Sequence, residues 1–104
     1  MELNVAVELD GQDRPVLVVG GAIDLASRER FLDRGYEMIK TSTSDEVLID
    51  LADVNFLDSL GIGALVQLNR ASNEASKRMV LRNPSERVRS LLRRIGLESA
   101  WPIE

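Results

Sequence analysis

The chain has 104 residues, a formal net charge of −4, 44% apolar and 29% charged side chains, and neither cysteine nor histidine. That length and balance fit one compact domain spanning residues 1–104 and exclude a disordered chain. The absent cysteines and histidines remove disulfides, zinc–thiolate centres, thiolate nucleophiles and imidazole bases together. With only four aromatic residues, Phe31, Tyr36, Phe56 and Trp101, the core must rest on Leu, Ile, Val and Ala. No window approaches the ~20 apolar residues of a membrane helix, and Met1-Glu2-Leu3-Asn4 has no basic start to a signal peptide. The expected location is the cytoplasm, with no membrane partner.

In chain order, Leu3, Val5, Val7 and Leu9 alternate with more polar residues, the period of a half-buried strand. Asp10-Gly11-Gln12-Asp13 is turn material, and Pro15–Val19 is a continuous run suited to a strand covered on both faces. Gly20-Gly21 is expected to end it. A helix is predicted from Leu25 to Ile39, with Leu25, Leu32, Tyr36 and Ile39 on its inner face and Gly35 as a weak point. Val47–Leu51 reads as a second buried strand. A helix from Ser59 to about Ser76 follows, its inner face built from Gly61, Ala64, Leu65, Leu68, Ala71, Ser72 and Ala75. Val80-Leu81 is a short strand. Pro84-Ser85 open a third helix with Val88, Leu91, Leu92 and Ile95 at helical spacing, and Gly96 stops it. Ala100–Ile103 forms an edge strand, where a proline is tolerated. The order β-β-α-β-α-β-α-β describes an α/β fold with a mixed sheet, a hairpin first and helical crossovers after it.

Charge is unevenly spread. Residues 1–58 carry 13 acidic and 5 basic side chains, and residues 59–104 carry 4 acidic and 8 basic. The two halves suit docking on charged partner surfaces or a merely uneven solvated exterior. The arginines at 82, 87, 89, 93 and 94 form a basic stretch, but the chain lacks the overall basicity and stacking aromatics of a nucleic-acid site. No nucleic-acid partner is expected.

Enzymatic motifs are missing as well. There is no phosphate-binding Gly-x-x-x-x-Gly-Lys-Ser/Thr loop, and neither Gly20-Gly21 nor Gly61-Ile62-Gly63 spells a dinucleotide fingerprint. Asp50, Asp53 and Asp58 would have to converge around a strand end to hold a hard metal ion, and single surface aspartates are far commoner than ligands. The chain is read as a non-enzyme with no metal or cofactor.

The informative stretch runs from Val54 to Leu65. Asp58 and Ser59 are both preferred N-cap residues, and Gly61 and Gly63 are poor helix formers in the first turn that follows. Two readings fit: an ordinary capped helix with glycines for tight packing, or backbone that must lie close to a partner.

Asp58-Ser59-Leu60-Gly61-Ile62-Gly63 resembles the Asp-Ser-Ser/Thr-Gly-Leu-Gly signature of anti-sigma factor antagonists, the bacterial branch of the STAS domain family. Gly21-Ala22-Ile23-Asp24 is similar to that family's Gly-x-Leu/Ile-Asp element, Asp53–Leu57 to the approach to its serine, and Ile95-Gly96-Leu97 to the close of its last long helix. Leu60 stands where the family usually has a second Ser or Thr, so Ser59 is the motif's one hydroxyl, and Ala22 stands where a Glu is common.

The resemblance implies a STAS-like single domain, a mixed sheet of about four to five strands with three or more α-helices. It implies that the unmodified protein binds an anti-sigma factor that is also an ATP-dependent serine kinase, freeing a sigma factor. Phosphorylation of Ser59 ends the complex and a serine phosphatase restores it. The expected docking residues are Asp24, Asn55, Leu57, Asp58, Leu60, Gly61 and Ile62, with a flush apolar contact over Leu57, Leu60 and Ile62. The alternatives are a STAS scaffold or small-ligand-binding module that is never phosphorylated, and a phosphorelay receiver. A receiver would need an acidic pair where Gly20-Gly21 stands.

Overall fold

The computed structural model describes residues 2–104. Its elements are β1 (Leu3–Leu9), β2 (Pro15–Ile23), α1 (Arg28–Thr41), β3 (Glu46–Leu57), α2 (Ser59–Glu74), β4 (Arg78–Arg82) and α3 (Glu86–Arg94). The sheet order is β1-β2-β3-β4, with β1 antiparallel to β2 and the pairs β2/β3 and β3/β4 parallel. This is the expected mixed α/β sheet, with α1 and α2 as the two crossovers.

Strand alternation sends Leu17, Val19 and Ile23 of β2, Val47, Ile49 and Leu51 of β3, and Met79 and Leu81 of β4 into one core with residues of all three helices. The helices therefore cover a single face of the sheet. Gly35 marks the closest approach of α1 to α2: a Cβ there would lie 2.6 Å from the Leu68 side chain.

Two strands run further than periodicity alone suggests. β2 continues through Gly20-Gly21 to Ile23. Gly21 has φ +88°, and a Cβ on it would overlap the Glu2 carbonyl oxygen at 1.8 Å, so only glycine carries the strand past this point. β3 runs to Leu57, six residues beyond Leu51. Its register against β2 slips between Val18 and Gly20 and again between Gly21 and Ala22, each slip adding one residue to β3. The buried positions accordingly step by three, Leu51, Val54 and Leu57, and the two-residue alternation disappears.

The first helix starts at Arg28 rather than Leu25. Its buried face is Phe31, Leu32, Gly35, Met38 and Ile39, while Leu25 is 74% exposed and Tyr36 39% exposed. The Asp24–Ser27 turn explains the late start, since it occupies the chain before any continuous helical ladder forms. α3 behaves as expected: Ser85 caps the Val88 N–H. Gly96, at φ +78°, closes the helix as its N–H reaches the Arg93 carbonyl and Leu97 N–H reaches Leu92. Ile95 turns outward instead of joining the core. The tail, expected as an edge strand, makes a single parallel bridge, Ile103 beside Leu81, with two backbone bonds to Leu81 of β4 and one to Asn83 just after it, while Trp101 is buried against the core.

Among the described residues no helix covers the sheet's other face. Val16, Leu48 and Val80 form a small apolar cluster there, each at most 3% exposed. Charged side chains rim it. Arg14 bonds Asp10 at 2.7 Å, Glu46 at 2.9 Å and Glu104 at 2.8 Å, and Glu46 also takes Arg78 at 2.9 Å. Hydrogen bonds from Arg14 hold Asp10, Glu46 and Glu104 below the usual carboxylate range and push the guanidinium's own pKa up. Carboxylates depressed in the folded state stabilise it above their unfolded pKa and lose that contribution as pH falls through the folded value. Urea unfolding midpoints measured from about pH 5 down to pH 2 are expected to fall more steeply for the wild type than for Arg14→Gln.

Candidate functional site

Ile23 and Leu57 are register partners at the C-terminal ends of two adjacent parallel strands, so Asp24 and Asp58 leave the sheet side by side. This end of a parallel sheet is where binding residues collect, because loops and helix N-termini converge there.

Each aspartate orders its own exit. Asp58 is the N-cap of α2, extended at φ −109° and ψ −171°, and one carboxylate oxygen accepts the Leu60 and Gly61 N–H groups, both at 3.0 Å. Asp24 accepts the Ser27 N–H at 3.1 Å; Ser27 Oγ accepts from the Asp24 N–H at 3.0 Å and donates to the Ala22 carbonyl at 2.8 Å. Losing the Asp58 cap leaves two helix N–H groups without a partner. Asp58→Ala is expected to lower stability by about 1–2 kcal/mol, read from denaturant midpoints, with Asp58→Asn recovering most of it.

Ser59 is the first helical residue. It is exposed, and among the described residues its hydroxyl makes no hydrogen bond. The amides of Leu60 and Gly61 are already taken by Asp58, and Ile62 N–H bonds the Asp58 carbonyl at 3.0 Å. The helix end at Ser59 is therefore less rich in vacant N–H groups than a bare N-terminus.

The residues expected to dock divide by burial. Asn55, Ser59 and Leu60 are exposed, and Asp24 and Asp58 are partly so. Leu57, Gly61 and Ile62 are buried, at 8% and 9% for the two large side chains. The expected flush contact over Leu57, Leu60 and Ile62 does not hold: of the three only Leu60, 40% exposed, presents apolar surface, and the other two are buried in the core. A Cβ on Gly61 would sit 2.6 Å from the Ile23 carbonyl oxygen and 2.3 Å from Leu57 Cδ1, so this glycine serves the fold. Gly63 is different. Nothing lies within 4 Å of a Cβ built there. It shares the outer face of α2 with Ser59, Leu60 and Val66, the last also 40% exposed. Helical spacing puts Val66 opposite the inner face of Gly61, Ala64, Leu65 and Leu68, so the signal for it is an apolar residue on the outer side of α2.

Arginines from α3 border this end of β3. Arg87 Nη1 donates to the Asn55 carbonyl at 3.1 Å, and Arg87, Leu91 and Arg94 line a shallow groove beside Phe56 and Leu57. Among the described residues, no group of three or more carboxylates is disposed to hold a metal ion. No helix among them is long and apolar enough to cross a membrane.

The family described as "Mlab, STAS domain" matches residues 6–103. The chain belongs to the STAS domain family. Solved structures agree on the fold. The anti-sigma factor antagonist SpoIIAA in its unphosphorylated form superposes with a TM-score of 0.77 at 21% identity, covering 97% of this chain and 88% of that one. An anti-sigma factor antagonist from Mycobacterium paratuberculosis gives 0.78 at 24% identity, covering 98% and 85%. An RsbS variant from Moorella thermoacetica gives 0.76 at 18%, covering 96% and 85%. SpoIIAA of Bacillus has also been solved in a phosphorylated form, similar to this STAS chain with a TM-score of 0.70 at 20% identity over 97% of this chain and 91% of that one.

Proposed function

We propose that this STAS domain is an anti-sigma factor antagonist switched by phosphorylation of Ser59. In this reading residues 1–104 act as one non-enzymatic cytoplasmic domain. Unmodified, it binds an anti-sigma factor with ATP-dependent serine kinase activity, and a sigma factor is released. The kinase phosphorylates Ser59 and the complex separates. A serine phosphatase returns the protein to its binding form.

The observation that carries this reading is the state of Ser59: an exposed hydroxyl with no hydrogen bond, on a helix capped by its neighbour Asp58. A kinase reaches such an oxygen without unfolding anything, and modifying it breaks no bond of the fold. The outer face of α2 supports a docking role, because Leu60 and Val66 are exposed apolar side chains and Gly63 leaves backbone open between them. Asp24, Asn55 and Asp58 form the polar margin, and Leu57, Gly61 and Ile62 act from below by fixing where Leu60 stands.

The phosphate's effect follows from charge. A phosphoserine carries about −1.5 to −2 charges, and here it stands beside the Asp58 carboxylate. The helix dipole favours it, so the fold tolerates it. With Leu60 and Gly61 amides already bonded to Asp58, the group has no free amide pair to fold down on and remains outward, where a partner would sit. A desolvated apolar contact over Leu60 then meets a hydrated dianion.

Incubation with candidate anti-sigma kinases and ATP, read by intact mass, tests the assignment. The wild type is expected to gain one phosphate and Ser59→Ala none. A phosphate on the Ser59→Ala protein contradicts it, and no phosphate on the wild type with any kinase it binds favours the unphosphorylated scaffold.

A further inference from the structure

We propose that β1 is a self-association edge, through which two copies of this chain join antiparallel into one continuous eight-stranded sheet. β1 lies at the end of the sheet and pairs only with β2. Two hydrogen bonds bracket that pairing, Ala22 N–H to the Glu2 carbonyl at 3.1 Å and Asp10 N–H to the Arg14 carbonyl at 3.0 Å, and the register between them is unbroken. An antiparallel ladder repeats every two residues, so Asn4, Ala6 and Glu8 spend their backbone groups on β2. Leu3, Val5, Val7 and Leu9 aim theirs outward. The Leu3 carbonyl confirms the phase, since it accepts from Arg30 Nη1 at 3.0 Å instead of from β2.

The sequence of this strand reads almost the same in both directions about Ala6: Leu3-Asn4-Val5-Ala6-Val7-Glu8-Leu9. A two-fold axis through Ala6 therefore pairs Val5 with the partner's Val7 and Leu3 with the partner's Leu9. Those are the residues whose N–H and C=O groups point away from β2, and Val5 and Val7, which carry no other bond on them among the described residues, exchange hydrogen bonds in both directions. Side-chain parity is kept, because odd residues face the helix layer in both copies. Val7, 43% exposed, and Leu9, 68% exposed, gain apolar neighbours. On the opposite face Glu8 meets the amide of Asn4, so no like charges oppose each other within the strand.

The edge also lacks most of the features that keep such strands apart. β1 has no proline, no lysine and no bulge, and among the described residues only the Arg30 contact at Leu3 occupies an outward group. Such a join is isologous, and it leaves the outer face of α2 free because Ser59 stands beyond β3, two strands away.

A cysteine scan decides the register, and the absence of native cysteine keeps it clean. Ala6 would face its own copy as a non-hydrogen-bonded pair with Cα atoms about 4.5 Å apart, within disulfide reach. Under mild oxidation Ala6→Cys is expected to form a disulfide-linked dimer, while Glu8→Cys, held away from its copy, stays monomeric. Sedimentation of the wild type is expected to show a concentration-dependent dimer. Val7→Pro removes an outward N–H that β2 does not use, and is expected to raise the dimer dissociation constant at least about tenfold through two lost interchain bonds. Val7→Lys gives the same loss without touching the backbone, and circular dichroism checks that both variants fold. Equal cross-linking of the two cysteine variants, or a wild type that stays monomeric up to about 1 mM, overturns the proposal.

Discussion

Gly61→Ala is expected to destabilise the domain by about 3 kcal/mol, whereas Gly63→Ala, two residues on, is expected to stabilise it by up to about 1 kcal/mol. The two glycines look alike in sequence and differ in surroundings. At Gly61 the added methyl meets Leu57 Cδ1, which can rotate away, and the Ile23 carbonyl oxygen at 2.6 Å, which cannot move without shifting the end of β2. Relief requires α2 to lift from the sheet, which disturbs Ile62, Ala64 and Leu65 in the core. At Gly63 the methyl meets nothing within 4 Å, so only the helix propensity gain of alanine over glycine remains. Urea denaturation of both variants reads the opposite signs directly. If α2's outer face docks a partner, Gly63→Ala also weakens that complex while strengthening the fold. A residue kept at a cost to stability is then accounted for by binding.

Ser59→Glu is expected to lower affinity for the proposed anti-sigma kinase partner by about a hundredfold, while Ser59→Ala stays within about threefold of wild type. Alanine removes a hydroxyl that bonds nothing in the free protein and leaves the apolar surface around Leu60 unchanged. Glutamate introduces a charge one residue from Asp58, inside the proposed docking contact. Like charges brought together on desolvation cost several kcal/mol, and removing an unbonded hydroxyl costs little. Both variants should keep the Asp58 cap, because the Leu60 and Gly61 amides bond the aspartate rather than residue 59. Surface plasmon resonance with the immobilised kinase gives the ratio.

Much of this fold is legible in the chain because local rules and tertiary packing agree. The strand at β1, the Asp58 and Ser85 caps, the stop at Gly96 and the inner face of α2 from Gly61 to Ser72 each follow from short-range chemistry. Val7, Leu9 and Ala75, expected inside, stand exposed because β1 is an edge strand and α2 ends at Glu74. The misses have definite causes. Two register slips against β2 change the buried step in β3 from two residues to three, so its second half carries no strand period. Gly21 belongs inside a strand only because the Glu2 carbonyl crosses it, a contact between segments far apart in sequence. Leu25 and Tyr36 match helical spacing yet stand outside, since the turn ordered by Asp24 and Ser27 delays the helix and Phe31 and Met38 take the inner face.

The candidate site was legible in a similar, partial way. Asp58 and Ser59 could be assigned to a helix start from residue type alone, and the hexapeptide they open resembles a known signature. Burial divided the remainder: Leu57 and Ile62 point inward, and Gly63 and Val66 supply open surface beside Leu60. Which of two neighbouring glycines supports the core depends on the path of Ile23, thirty-eight positions earlier in the chain than Gly61. The Arg14 network, which joins Asp10, Glu46 and Glu104 around the apolar cluster on the helix-free face, depends on strand order and could not be read from spacing.

The most direct test is a calorimetric titration of the purified anti-sigma kinase with two preparations of the protein, unmodified and stoichiometrically phosphorylated at Ser59, each also melted alone. Tight binding by the unmodified form only, with melting temperatures within about 4 °C of each other, is the predicted result. Equal affinity of the two forms, or a phosphorylated form that is already unfolded, would contradict it.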